Sequence, residues 1–93
     1  MNQQELIQKI KPILERHQIT KAELFGSYAR GEAGPKSDVD VLIEFQDRKS
    51  LFDLVGIEHE LEDVLGKEVD VVTYRSVYPP LKPYIFAHTV RII

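Results

Sequence analysis

Between Gln3 and Arg16, apolar residues recur at Leu6, Ile10, Ile13 and Leu14, with Ile7 widening the stripe, so the spacing predicts an amphipathic helix. Pro12 falls inside it and, lacking an amide hydrogen, should bend it near the middle. Lys21 to Phe25 reads as a short strand running into Gly26, followed by a short helix around Ala29 with Ser27 near its cap. Gly31, Gly34 and Pro35 make the next stretch a loop. From Asp38 to Phe45 the pattern alternates as a strand does. Val39, Val41, Ile43 and Phe45 share one face, and Asp38, Asp40, Leu42 and Glu44 the other. Ser50 is expected to cap a helix reaching about Leu65, along Leu51, Leu54, Ile57 or Glu58, Leu61, Val64 and Leu65, and Gly66 ends it. Glu68 to Thr73 is a third strand, with Asp70 and Val72 opposite Val69 and Val71. After Pro79, Pro80 and Pro83, a last short helix is predicted from Lys82 to about Thr89.

This order fits an α+β (mixed α/β) fold, a small mixed β-sheet with helices packed on one face. At 93 residues there is material for one modest core, so residues 1–93 are read as a single domain. An apolar content of 43% with 29% charged residues marks a folded rather than a disordered chain. No apolar run approaches the roughly 18 residues of a membrane span, and the opening MNQQELIQKIK lacks the apolar stretch of a secretory signal. Without cysteine there are neither disulfides nor thiolate zinc sites, and the cytoplasm is the expected compartment. A net charge of −3 speaks against a broad nucleic-acid surface. It leaves a nucleotide site open, because metal ions can supply the positive charge. His17, His59 and His88 share no ligand spacing, and His17 and His88 are read as surface or helix-end residues.

The acids change the picture. Asp38 and Asp40 are two apart in a strand, which puts both carboxylates on one face with alpha carbons about 6–7 Å apart. Two carboxylates this close repel, so one takes up a proton or the pair attracts a cation. A hard cation such as magnesium asks for oxygen ligands of this kind. Asp70, within a run of valines, needs a partner if it is buried. The plainer reading competes: Asp38 ends a turn, Asp40 sits on an open sheet face, and periodicity does not establish that the strands are neighbours. Gly26 permits close backbone approach, Ser27 offers a hydroxyl and an amide at a helix start, and Arg30 can reach a phosphate with a charged fork.

Side by side, these residues carry a resemblance. LFGSYARGEAGPKSDVDVLIEF is similar to the signature of the nucleotidyltransferase superfamily related to DNA polymerase beta. More narrowly, the chain resembles the minimal nucleotidyltransferases of the MntA type over nearly its whole length, including the Leu-Lys-Pro segment of the tail. The matching elements are a glycine followed by a serine, Arg30-Gly31-Glu32, and Ser37-Asp38-Val39-Asp40. The resemblance implies the nucleotidyltransferase fold, with Gly26, Ser27, Arg30 and Ser37 in the nucleotide site. It further implies Asp38 and Asp40 as ligands of two Mg2+ ions and Asp70 as the third catalytic, metal-binding carboxylate.

It also implies a function: an antitoxin that transfers AMP from ATP to a tyrosine of a cognate HEPN/HepT-type RNase toxin, releasing pyrophosphate. Larger relatives carry a further helical domain, so a partner is expected to complete the acceptor site. Tyr78, Leu81, Tyr84, Ile85 and Phe86 are candidates for that contact, or else close the core of a small domain. Two other functions stay open. One keeps the chemistry and changes the acceptor, to a small molecule such as an aminoglycoside or to an RNA end. The other is a non-catalytic antitoxin that neutralises by binding.

Overall fold

In the computed structural model, which describes residues 1–45 and 51–93, the first apolar stripe folds as helix α1 (Gln3–Arg16). The Asn2 side chain caps it, accepting the Glu5 amide at 2.8 Å. Leu6, Ile10, Ile13 and Leu14 are its buried line. The helix continues through Pro12. That residue is exposed, as is Gln8 one turn back, so the carbonyl left without its usual donor lies on the solvent side.

Strand β1 (Ile19–Phe25) starts two residues before the alternation predicts. Ile19 pairs with Phe45 and Lys21 with Glu44, so an extra residue bulges at Thr20. The bulge lets Ile19 and Ala22 both enter the core, a step of three that conceals the strand from a period of two. Helix α2 (Gly26–Arg30) follows directly. Ser27 lies inside it rather than capping it: Phe25 holds the cap position without a side-chain bond, and the positive φ of Gly26 (73°) turns strand into helix.

Strand β2 (Val39–Phe45), helix α3 (Leu51–Leu65) and strand β3 (Val69–Thr73) form a parallel crossover unit. The predicted cap Ser50 lies outside the described residues. In α3 the core takes Ile57, Leu61 and Leu65, with Leu54 partly buried against them. The choice between Ile57 and Glu58 thus falls on Ile57, while Leu51 and Val64, both assigned to the apolar line, are exposed. The tail holds two 3-10 turns (Tyr74–Ser76 and Pro79–Leu81), helix α4 (Lys82–Ile85) and strand β4 (Val90–Arg91). The predicted helix to Thr89 is therefore cut short, and the β-branched run that follows pairs with β1.

The sheet order is β3-β2-β1-β4, mixed as expected: β2–β3 is parallel, and β1–β2 and β1–β4 are antiparallel. Helices α1 and α3 pack against each other and onto β1 and β3 over one main core, which includes Val39, Val41, Ile43, Val69 and Val71. The other face is less polar than the alternation suggested. Leu42, assigned to the face of Asp40, is fully buried and, like Val77, lies outside the main cluster, where the turn Tyr74–Ser76 packs on β2. Among the described residues, no helix is long and apolar enough to cross a membrane.

Candidate active site

The parallel pairing of β2 with β3 sets Asp40 directly beside Asp70. Neighbouring strands lie about 4.8 Å apart, and alternation turns both side chains away from the core filled by Val39, Val41, Val69 and Val71. Burial, then the charges of Asp70 and Asp38, push the Asp40 carboxyl up from 3.8 to about 6, against an opposing pull from Arg30. Asp38 stands one residue ahead of β2 and is exposed, as is Asp70, whereas Asp40 is half-buried. Asp40 and Asp70 are therefore cross-strand neighbours, and Asp38 joins them through its field.

Gly26 explains how Asp40 fits. Phe25 pairs with Asp40 across β1 and β2, which brings the next residue, Gly26, against the carboxylate. A β-carbon there would overlap the Asp40 Oδ2 atom and stand 3.1 Å from its Cγ. The φ of +73° independently strains any residue with a side chain at this position. The sequence predicts that Gly26 allows close approach to a phosphate; what the structure shows at Gly26 is room for Asp40.

The remaining predicted residues are less uniform. Arg30 is half-exposed, and its Nε donates to Glu32 Oε2 at 3.0 Å, which leaves it near enough to Asp40 to hold that carboxyl's pKa down. The Ser27 carbonyl accepts the Glu32 amide at 2.9 Å and closes the turn after α2. Ser37 is committed to a turn: its hydroxyl accepts the Gly34 amide at 2.8 Å, and its own amide donates to the Gly34 carbonyl at 3.1 Å. His17 is a helix-end residue as expected, at the C-cap of α1, with Nε2 2.7 Å from Glu60 Oε2.

Among the described residues, no three His, Asp or Glu side chains are grouped as a ready metal cage. The chemistry of the donors nevertheless fits a hard divalent cation. A carboxylate whose hold on a proton is raised by burial and by two neighbouring carboxylates is relieved by a cation as well as by that proton.

Two contributors escaped the sequence reading. Glu58 and Glu62 of α3 reach back to β3, where they accept the amides of Val71 and Val69. Their i, i+4 spacing was the available signal. In the tail, Tyr74 stacks on Phe86, with ring centres 6.0 Å apart, and the Lys21 ammonium lies 4.7 Å above the Tyr74 ring. Of the tail residues offered either to a partner or to the core, Tyr78, Leu81, Tyr84 and Phe86 are exposed, with Tyr84 at 79%. They do not close the core.

Residues 7–92 match the nucleotidyltransferase domain family. A Methanocaldococcus jannaschii protein named as a candidate protein adenylyltransferase is 52% identical over 93 residues, covering 100% of both chains. A crystal structure of a toxin-antitoxin with AMP-PNP contains a chain that superposes with a TM-score of 0.83 at 24% identity, over 94% of this chain and 72% of that one. A structure of a tri-AMPylated Shewanella oneidensis HEPN toxin in complex with MNT antitoxin gives 0.77 at 22% identity, over 98% and 71%. At these identities the two structures speak for the fold, which is the expected nucleotidyltransferase fold.

Proposed function

We propose, for a chain that belongs to the nucleotidyltransferase domain family as a minimal nucleotidyltransferase of the polymerase-beta superfamily, the role of an antitoxin that transfers AMP from ATP to a tyrosine of an HEPN-type RNase. The observation that carries this reading is the carboxylate pair Asp40–Asp70, set side by side by β2 and β3 with Gly26 against it. The candidate name of the 52% identical relative, and the AMP-PNP and AMPylated-toxin complexes formed by proteins of this fold, supply the direction.

In this reaction the acceptor phenol oxygen bonds to the α-phosphorus of ATP, the bond from that phosphorus to the α–β bridging oxygen breaks, and pyrophosphate leaves. Asp70, the more exposed of the pair, orients the phenol and takes its proton. Asp40 sits behind it, in the room that Gly26 leaves, and feels the charges of Asp70 and Asp38. Asp38, Asp40 and Asp70 would hold two Mg2+ ions, whose chemistry here is to offset the charge that develops on the triphosphate. Arg30, steadied by Glu32, faces the same charge. The helix start at Gly26 and Ser27 presents backbone amides to the phosphates. Residues 1–93 act as one domain in the cytoplasm, where ATP is supplied.

The test follows label from ATP to a co-purified HEPN-type partner. Label at the α-phosphate should appear on a tyrosine of the partner and label at the γ-phosphate should not. Transfer of the γ label, or of neither in a folded complex with ATP and Mg2+, would sink the proposal. A second reading, neutralisation by binding alone, draws on the exposed Tyr78, Leu81 and Tyr84. It predicts an RNase that stays silenced by an Asp38→Asn/Asp40→Asn chain.

A further inference from the structure

Among the described residues, the strand that carries Asp70 lies at the edge of the sheet, with no strand on its other side. An edge strand normally presents free amides to water or to another chain. Here the amides of Val69 and Val71 are spent on α3: Glu62 Oε2 accepts the first at 3.1 Å and Glu58 Oε2 the second at 2.8 Å. The two carboxylates are four residues apart and so lie on one helix face, at the spacing needed to meet alternate residues of a strand. Asp70 is the residue between those two amides. Its own side chain is exposed, so surrounding packing does little to hold it, and the position of its carboxylate beside Asp40 depends on the backbone on either side. The bonds are partly buried and charge-assisted, the stronger kind.

We propose that Glu58 and Glu62 are positioning residues for Asp70, clamping β3 from its open side so that the Asp70 carboxylate stays in register with Asp40. The inference rests on the adenylyltransferase reading of the site. Purely structural edge protection would leave the chemistry indifferent to the clamp once the chain is folded, whereas positioning makes the rate depend on it.

The experiment uses the full chain with its HEPN-type partner and compares Glu58→Leu and Glu62→Leu, which remove the acceptor, with Glu58→Gln and Glu62→Gln, which keep one. Steady-state AMP transfer, amide hydrogen exchange and the carboxyl 13C resonance of Asp70 are measured on each. The leucine variants should lower kcat about 10- to 100-fold while KM for ATP stays within about twofold, and the glutamine variants should restore most of it. Exchange at Val69 and Val71 should quicken and the Asp70 resonance should move in the leucine variants only. Where a leucine variant fails to fold, Glu58→Asp, which keeps the charge and shortens the reach, takes its place with the same expectations.

A leucine or aspartate variant with faster exchange but unchanged kcat would overturn the inference and leave the function standing. Unprotected Val69 and Val71 amides in the unaltered chain would overturn it as well. If the unaltered chain transfers no AMP, the function fails and the resonance decides: movement confined to the leucine variants supports positioning, and no movement refutes it.

Discussion

The two faces of β2 follow different rules although they share seven residues. On the helix side, Val39, Val41 and Ile43 are wholly excluded from water and join the main core. On the other side Asp40 is half-buried beside two further acids, with a carboxyl pushed up to about 6. The first face lowers the free energy of folding by roughly 25 cal/mol for each Å² of apolar surface removed from water. At Asp40 the second raises it, because a carboxylate is held partly out of water and where its neighbours repel it. A position that works against folding and yet is built so closely, down to a glycine whose β-carbon would overlap the carboxylate, is what a reaction centre looks like.

Substitutions on each side should therefore fail differently, and the largest effect belongs to the acidic face. Asp40→Asn should lower the AMP-transfer rate about a thousandfold or more while leaving the partner complex intact, as single-turnover kinetics and size-exclusion chromatography would show. On the opposite side Leu61→Ala, at a fully buried position, should cost about 2–5 kcal/mol in denaturant unfolding. At temperatures where that variant remains folded, its transfer rate should be close to normal.

Gly26→Ala belongs to both sides. It should cost roughly 1–3 kcal/mol for the left-handed backbone and also slow transfer by displacing Asp40, so its stability and rate fall together. A smaller effect tests the electrostatic cost itself. The folded Asp40 carboxyl titrates near 6 and the unfolded one near 3.8, so between those values the folded state binds more protons and stability falls as pH rises. With chelator present, Asp40→Asn should thus leave stability unchanged below about pH 3.8, and become the more stable chain by about pH 6, in paired thermal melts. Smallest of all, Tyr84→Ser in the exposed tail should shift stability by no more than about 0.5 kcal/mol. If the tail meets the partner, the same change weakens the complex.

The contrast also governs what could be read from the chain. The alternation of DVDVLIEF and EVDVVT revealed β2, β3 and their acids, because the core face imposes a period of two. That Asp40 and Asp70 are neighbours was not legible in the periodicity and came only through the family resemblance, since adjacency is set by the crossover through α3 rather than by either strand. The start of β1 was hidden by its bulge, and β4 by its two-residue length after a run of prolines. Leu42 obeys the alternation in direction but not in environment, because the turn at Tyr74–Ser76 covers it. Glu58 looked interchangeable with Ile57 as a stripe position. Only the position of β3 shows that its carboxylate has a partner.

AMP transfer by this chain is decided by the intact mass of an HEPN-type partner incubated with it, ATP and Mg2+, alongside the Asp40→Asn chain. The partner should gain one or more AMP units with the unaltered chain and none with the variant. An unchanged mass in a folded, nucleotide-bound complex, or an equal gain with Asp40→Asn, would contradict that expectation.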